Sequence, residues 1–113
     1  MLKKLTVVLF VLILATFAFG QKKNTPPPEK SVSGAVTDAS GNPVPGAIVQ
    51  LKNMKTLQVR SFIAKDMGEY YFQGLATDVD YELKADFNGK SSATRQLSSF
   101  DSHAEAKINL QLK

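Results

Sequence analysis

Cysteine and tryptophan are absent from this chain, and histidine occurs once, at His103. Without cysteine there is no disulfide framework, no thiolate zinc site, no cysteine nucleophile and no lipid-modified cysteine behind an export leader. One histidine is too few for a zinc hydrolase, which takes at least two imidazoles and a carboxylate as well as an acid or base for the attacking water. Helical periodicity is missing too: from Ser31 onward apolar residues nowhere recur at the helical spacing over ten residues. The phosphate-cradling glycine motifs, which open a helix, therefore have no context here.

Charge of one sign is scarce. The 14 Lys and Arg against 10 Asp and Glu give +4, but Lys3 and Lys4 sit at the extreme N-terminus; without them 12 basic residues face 10 acidic ones, near +2. Lys52, Lys55, Arg60, Lys65, Lys84, Lys90 and Arg95 are spread singly, as on solvated strand faces. Neither the balance nor its distribution points to nucleic acid.

What is present begins with a leader. Two lysines in residues 1–4, an almost wholly apolar run over residues 5–19 and the small residues of Ala18-Phe19-Gly20 follow the order of a cleaved secretory signal. Cleavage is expected after Gly20. An uncleaved membrane anchor is the competing outcome; it needs roughly 20 apolar residues, more than this run supplies. Residues 21–30 carry three consecutive prolines, Pro26 to Pro28, and read as an extended polyproline spacer. The remainder, 31–113, has room for one domain, which without disulfides relies on packing alone.

That domain reads as all β, with period-two alternation and turn residues every 8 to 12 positions. The first strand is expected over Val32–Thr37, with Val32, Gly34 and Val36 on one face. The second runs from Ala47 to Lys52, with Ala47, Val49 and Leu51 inward. In the third, Leu57–Lys65, Val59 and Ile63 share one face and Phe62 and Ala64 the other; the pattern leaves the core side open. The fourth, Glu69–Gln73, sets Tyr70 and Phe72 against Tyr71. The fifth turns Tyr81, Leu83, Ala85 and Phe87 inward, the polar sixth over Ser91–Leu97 is expected at a sheet edge, and the last buries Ile108, Leu110 and Leu112. Seven strands make two sheets and one sandwich core. Between the first two strands, Asp38, Gly41, Pro43 and Gly46 supply side-chain capping, positive φ and fixed φ. Asp66-Met67-Gly68 suits a tight hairpin turn between the third and fourth, with Gly68 left-handed.

The candidates for chemistry are few. His103 lies in a polar loop with Asp101 and Ser102, but sequence neighbours in a loop do not form a base-oriented nucleophile. Asp38, Asp66, Asp78, Asp80 and Asp86 offer hard oxygen ligands without the dense run of a calcium cage. No catalytic residue, cofactor or metal is expected.

Gly34-x-Val36-x-Asp38-x-x-Gly41-x-Pro43-x-x-Gly46-Ala47-x-Val49-x-Leu51, then Asp66-x-Gly68-x-Tyr70-x-Phe72-x-x-Leu75, then Tyr81-x-Leu83-x-Ala85, resembles the carboxypeptidase regulatory-like domain. The resemblance implies a seven-stranded antiparallel prealbumin-like (transthyretin-like) β-sandwich, classed with carbohydrate-binding-like folds. It also implies a non-catalytic module: such domains follow the enzyme in metallocarboxypeptidases, precede the plug of outer-membrane receptors and occur as stand-alone exported copies in bacteria. One departure is local. The family turns through Pro-Gly just before the tyrosine, whereas here Leu75 is followed by Ala76-Thr77-Asp78-Val79-Asp80, one residue longer and without glycine. Tyr81 is still expected as a corner residue, with its ring buried and its hydroxyl on a loop backbone group.

The functional expectation is an exported interaction or structural module of the cell envelope, periplasmic or extracellular and not an integral membrane protein once the leader is cleaved. It would dock through a sheet edge, the polar sixth strand being the favoured one, or through its loops. Carbohydrate binding is the alternative, and Phe62, Tyr71 and Phe100 are the aromatics left to face a ligand. The partner is an unidentified envelope protein or a glycan, and the oligomeric state is open.

Overall fold

A computed structural model describes residues 28–113; the segment read as a leader and all but the end of the segment read as a proline-rich spacer lie outside the described residues. The chain forms β1 (Glu29–Thr37), β2 (Ile48–Asn53), β3 (Val59–Ile63), β4 (Glu69–Ala76), β5 (Tyr81–Phe87), β6 (Lys90–Ser91), β7 (Arg95–Leu97), β8 (Glu105–Lys107) and β9 (Leu110–Gln111). One sheet has the order β4-β1-β8, with β9 continuing β8 along β1; the other has the order β3-β2-β5-β6, with β7 continuing β6 along β5. Among the described residues nine segments thus fill seven strand positions. Two positions are broken, the sixth at Ser92–Thr94 and the last at Ile108–Asn109.

The alternation sorts side chains as period two demands. Val32 and Val36 of β1, Val49 and Leu51 of β2, Tyr70, Phe72 and Leu75 of β4, Tyr81, Leu83 and Ala85 of β5, and Leu110 and Leu112 near the C-terminus are all buried between the sheets. Each such side chain contributes on the order of 2 kcal/mol, and their sum is what opposes chain entropy in a domain without disulfides. The third strand is now decided: Phe62 and Ala64 face the core, while Val59 and Ile63 face solvent. Phe87 is only half-buried, packed against the rim of the core.

Three features differ from the sequence expectations. First, β1 begins at Glu29, inside the segment read as spacer, and Lys30 is buried, with its Nζ donating to the Ser98 carbonyl at 3.2 Å. A lysine reads as spacer in sequence, but β1 here borders a loop that accepts from the ammonium. Second, β8 and β9 run parallel to β1, so the pairing is not antiparallel throughout. The loop after β7 crosses between the sheets and delivers the chain beside the start of β1, where the Ser31 N–H donates to the Ala104 carbonyl at 2.9 Å. Third, the strands on either side of Asp66-Met67-Gly68 do not pair into one sheet, although the Lys65 N–H donates to the Glu69 carbonyl at 2.9 Å across the turn. The turn forms, with the Gly68 N–H on the Lys65 carbonyl at 2.8 Å, but β3 and β4 part into different sheets because β1 claims β4: the Val36 N–H donates to the Gly68 carbonyl at 2.8 Å.

Candidate interaction surface

The motif residues turn out to be fold-makers. Gly34 stands opposite Tyr70 on β4. A Cβ at Gly34 would lie 1.8 Å from the Ile108 carbonyl oxygen and 2.9 Å from the Tyr70 ring, so only glycine lets that ring cross β1. The Tyr70 hydroxyl then donates to the Ile108 carbonyl, holding the break between β8 and β9 against the sheet. Burial pushes the Tyr70 phenol well above its ordinary range, the Arg95 charge opposing weakly. Tyr81 buries its ring, and its hydroxyl accepts the Ala76 N–H at 2.9 Å. The longer loop here is fastened by Asp80. Its carboxylate accepts the Ser99 N–H at 2.6 Å and its carbonyl accepts the Met54 N–H at 2.9 Å, while Val79 is buried beneath.

In the loop between β1 and β2, the Asp38 carboxylate accepts the N–H groups of Ser40 and Asn42, both at 2.9 Å. Those bonds, the one from Asn42 foremost, hold Asp38 below its ordinary pKa. Pro43 bridges back to Thr37, and Gly41 lies exposed between them. Gly46, at φ 83°, makes a bulge: its own N–H donates to the Ala64 carbonyl at 2.9 Å while the Ala64 N–H donates to the Ala47 carbonyl at 2.8 Å. Gly68 at φ 75° sits against the Val36 carbonyl, 2.4 Å from where a Cβ would stand. Asp66 is exposed at the tip of its turn.

In the loop between β7 and β8, the Asp101 carboxylate accepts the His103 N–H at 2.9 Å and lies 2.6 Å from the His103 Nδ1. These two contacts, the backbone one first, hold Asp101 below its usual range. The pair is solvent-facing and Ser102 takes no part in it, so what exists is a capped turn. Phe100, at 94 % exposure, stands alone on the same loop. Among the described residues no three His, Asp or Glu side chains gather in a way that could hold a metal, and no helix is long and apolar enough to cross a membrane.

Tyr71 and Phe62 do come together. They line a shallow groove of about 510 Å³ whose floor is Ser33 to Ala35 of β1 and whose rim carries Lys65, Glu69, Lys107 and Asn109. Tyr71 is half-exposed. The Phe62 ring is turned edge-on to Phe72, with centroids 6.0 Å apart, and offers little free face.

The sheet edges differ from one another. The sixth strand is at an edge, as its polarity suggested, but that edge is short and closed. Ser92 bridges Leu112, the Lys113 N–H donates to the Ser91 carbonyl at 3.1 Å and Arg95 Nη1 donates to the Asn109 carbonyl at 3.3 Å. On the opposite flank β4 is kinked where its pairing with β1 shifts register, and its Gln73 carbonyl accepts from Arg60 Nη1 at 3.1 Å. Only β3 lies open. Among the described residues β2 pairs with one side of it and nothing with the other. The bonds from Asn53 to Gln58 and from Ala64 to Ala47 fix which peptides face β2. By alternation, the N–H and C=O groups of Val59, Ser61 and Ile63 point away from β2, along the free edge. Beside them lies an apolar stripe in which Ile48 is 46 %, Val59 50 % and Ile63 69 % exposed, with Ile48 and Ile63 directly paired. The rest of that sheet's outer face carries Glu82, Lys84 and Asp86.

The model of the carboxypeptidase regulatory-like domain family matches residues 31–113. The chain belongs to that family. No curated protein matches it in sequence. Among solved structures, this regulatory-like domain is similar to the dioxygenase domain of a dioxygenase carbohydrate-binding protein fusion from Streptomyces sp. SirexAA-E, at 16 % identity and TM-score 0.56, over 80 % of this chain and 83 % of that one. It is similar to catechol 1,2-dioxygenase from Acinetobacter sp. ADP1 at 13 % identity and TM-score 0.60, over 80 % of this chain but 54 % of that one. The C-terminal domain of the shaft pilin SpaA from Lactobacillus rhamnosus GG matches at 11 % identity and TM-score 0.53, over 77 % of this chain and 100 % of that one. Likeness at such identities is likeness of fold, and the neighbours include enzymes as well as a pilin domain.

The open β3 edge of the regulatory-like domain was missed in sequence, where Phe62-Ala64 and Val59-Ile63 are equally apolar alternations. The signal that separates them is Gly46-Ala47: a bulge there claims Ala64, and Phe62, two residues back, must then share its face.

Proposed function

We propose that this regulatory-like domain is a non-catalytic exported interaction module of the cell envelope that takes up a partner strand by strand addition at β3. One observation carries the reading: three outward peptide groups, at Val59, Ser61 and Ile63, lie unpaired beside an exposed apolar stripe. An added strand gains main-chain hydrogen bonds from such an edge and side-chain contacts from the stripe. Edges of this kind are ordinarily blunted by charge, proline or a bulge, and the other edges of this molecule are. The family's non-catalytic character supports the same reading, as does the engagement of the motif residues in turns and core. Export rests on the leader pattern.

The test is a photo-crosslinking residue placed at Ser61 in cells, with the same residue at Glu82 as control. Adducts at Ser61 that are lost in Ile63→Lys are the expected result. Equal adducts at both positions, or none at Ser61, would sink the reading.

Glycan binding is the second reading, supported by the groove in which the half-exposed Tyr71 stands among Lys107, Asn109 and Glu69. Against it stands the lack of a second free aromatic face. A glycan array in which binding is lost in Tyr71→Ala would establish it, and a blank array would dispose of it.

A further inference from the structure

We infer that the strand received by the β3 edge is β3 of a second copy, so that the domain forms a twofold dimer by antiparallel β3–β3 pairing centred on Ser61; this rests on the strand-addition reading above. The argument is one of parity and sequence symmetry. Two antiparallel edges can bond only where both offer outward peptide groups, and residues facing each other across a twofold at Ser61 have numbers adding to a constant. Ser61 then faces Ser61 of the other copy, and Val59 faces Ile63. All are residues whose peptides point off the free edge, so the three pairings can make six backbone hydrogen bonds. A centre at Arg60 or Phe62 keeps that parity but leaves only two such pairings within the strand, and a centre between two residues would set an outward peptide against an inward one.

The side chains agree with that register. Val59 against Ile63 is a pair of β-branched apolar residues, a favourable cross-strand combination, and Ser61 against itself is small. Extending the rows into β2 places Ile48, Ile63, Val59 and Lys52 in one line and its mirror in the other, with Gln50 and Ser61 between. The two Lys52 ammonium groups therefore fall at opposite ends of the joined sheet, and no like charges meet. On the other face, Arg60 comes opposite Phe62 of the second copy, a cation beside a ring, as Arg60 already stands over Phe72 at 5.6 Å within its own copy. The pairing stops at Leu57, whose φ of 64° turns the chain out of the strand. A heterologous partner strand gains nothing from this palindrome, whereas a second copy supplies the complementary residue at every position.

The contact is short, five residues a side, and well below the roughly 800 Å² per partner of a stable interface, so the dimer is weak and concentration-dependent. The full chain is expressed and purified as the cell delivers it, and its mass is followed by sedimentation from about 10 µM to about 1 mM, a range suited to interfaces of this size. A rise toward two copies is expected, with association reduced at least about tenfold in Ile63→Lys, which sets a charge on the edge, and unchanged in Glu82→Lys. Val59→Lys serves as the second edge variant. Spin labels on single cysteines then read the register: the label pair at Ser61→Cys is the closest, and those at Val59→Cys and Ile63→Cys are each separated by four residue rises, about 13 Å, along the strand. A monomer at 1 mM, a dimer indifferent to both lysine variants, or a different ordering of label distances would overturn the homotypic pairing. If the dimer is absent while the Ser61 photoprobe still captures a protein of another mass, strand addition stands and only the second copy falls; if both are absent, both fall.

Discussion

The two flanks of the sandwich are finished in opposite ways. On one, the end of the chain closes the seam: Leu112 is buried and bridges Ser92, Lys113 reaches Ser91, and Arg95 reaches Asn109. On the other, β4 is capped by Arg60 but β3 beside it presents its outer peptides to solvent. Both flanks are built of short strands with similar alternation. What separates them is whether a later piece of chain comes back to cover the edge, and for β3 none among the described residues does. An edge sealed by its own chain adds to stability, and one left open is free to take a partner.

The contrast is broken most severely at the packing that holds the closed flank. Gly34→Ala drives a methyl into the Ile108 carbonyl and the Tyr70 ring, and is expected to cost about 3 kcal/mol or more, read by urea denaturation. Leu112→Ala empties the seam and should cost about 2–3 kcal/mol by the same measurement. Tyr70→Phe strips the donor from the Ile108 carbonyl for about 1–3 kcal/mol.

The Tyr70 phenol also supplies a pH dependence. Its pKa is raised in the folded state, so the stability linked to its protonated form is fully present below the ordinary tyrosine value of about 10 and lost as pH rises beyond it. Denaturation midpoints should fall above about pH 10, and fall less steeply in Tyr70→Phe. The smallest effect belongs to the open flank. Ile63→Lys should change stability by no more than about 0.5 kcal/mol, because the side chain is already 69 % exposed, while weakening association at least about tenfold. A large loss of stability in that variant would mean that β3 is not the free edge described here.

Much of the fold was legible because alternation and turn chemistry are local. Tyr81, Leu83 and Ala85 are buried where period two puts them, Asp38 holds its own turn, and the sixth strand lies at an edge. The side of β3 was not legible, because both its faces are apolar and only the bulge at Gly46 chooses between them. The strand at Lys30 was hidden by its charge, which a loop distant in sequence accepts. The turn at Gly68 looked like a hairpin because three residues specify a reversal without specifying which sheet the next strand enters. On the candidate surface Phe62 and Tyr71 line one groove, a juxtaposition no sequence pattern signals, whereas Phe100 stands apart from them. Polarity placed the sixth strand at an edge but could not show that Leu112 and Lys113 cover it, since polarity marks exposure of side chains and carries no information about whether peptide groups are covered.

By itself the sequence determined an all-β domain, the inward-facing residues of its cleanly alternating strands and the turns that need aspartate, glycine and proline, since each depends on a residue and its near neighbours. The tertiary structure alone decided which edges are sealed. That outcome depends on the C-terminal strand returning, parallel to β1, to the flank of β6 and β7 and not to that of β3, a long-range arrangement that no local pattern encodes.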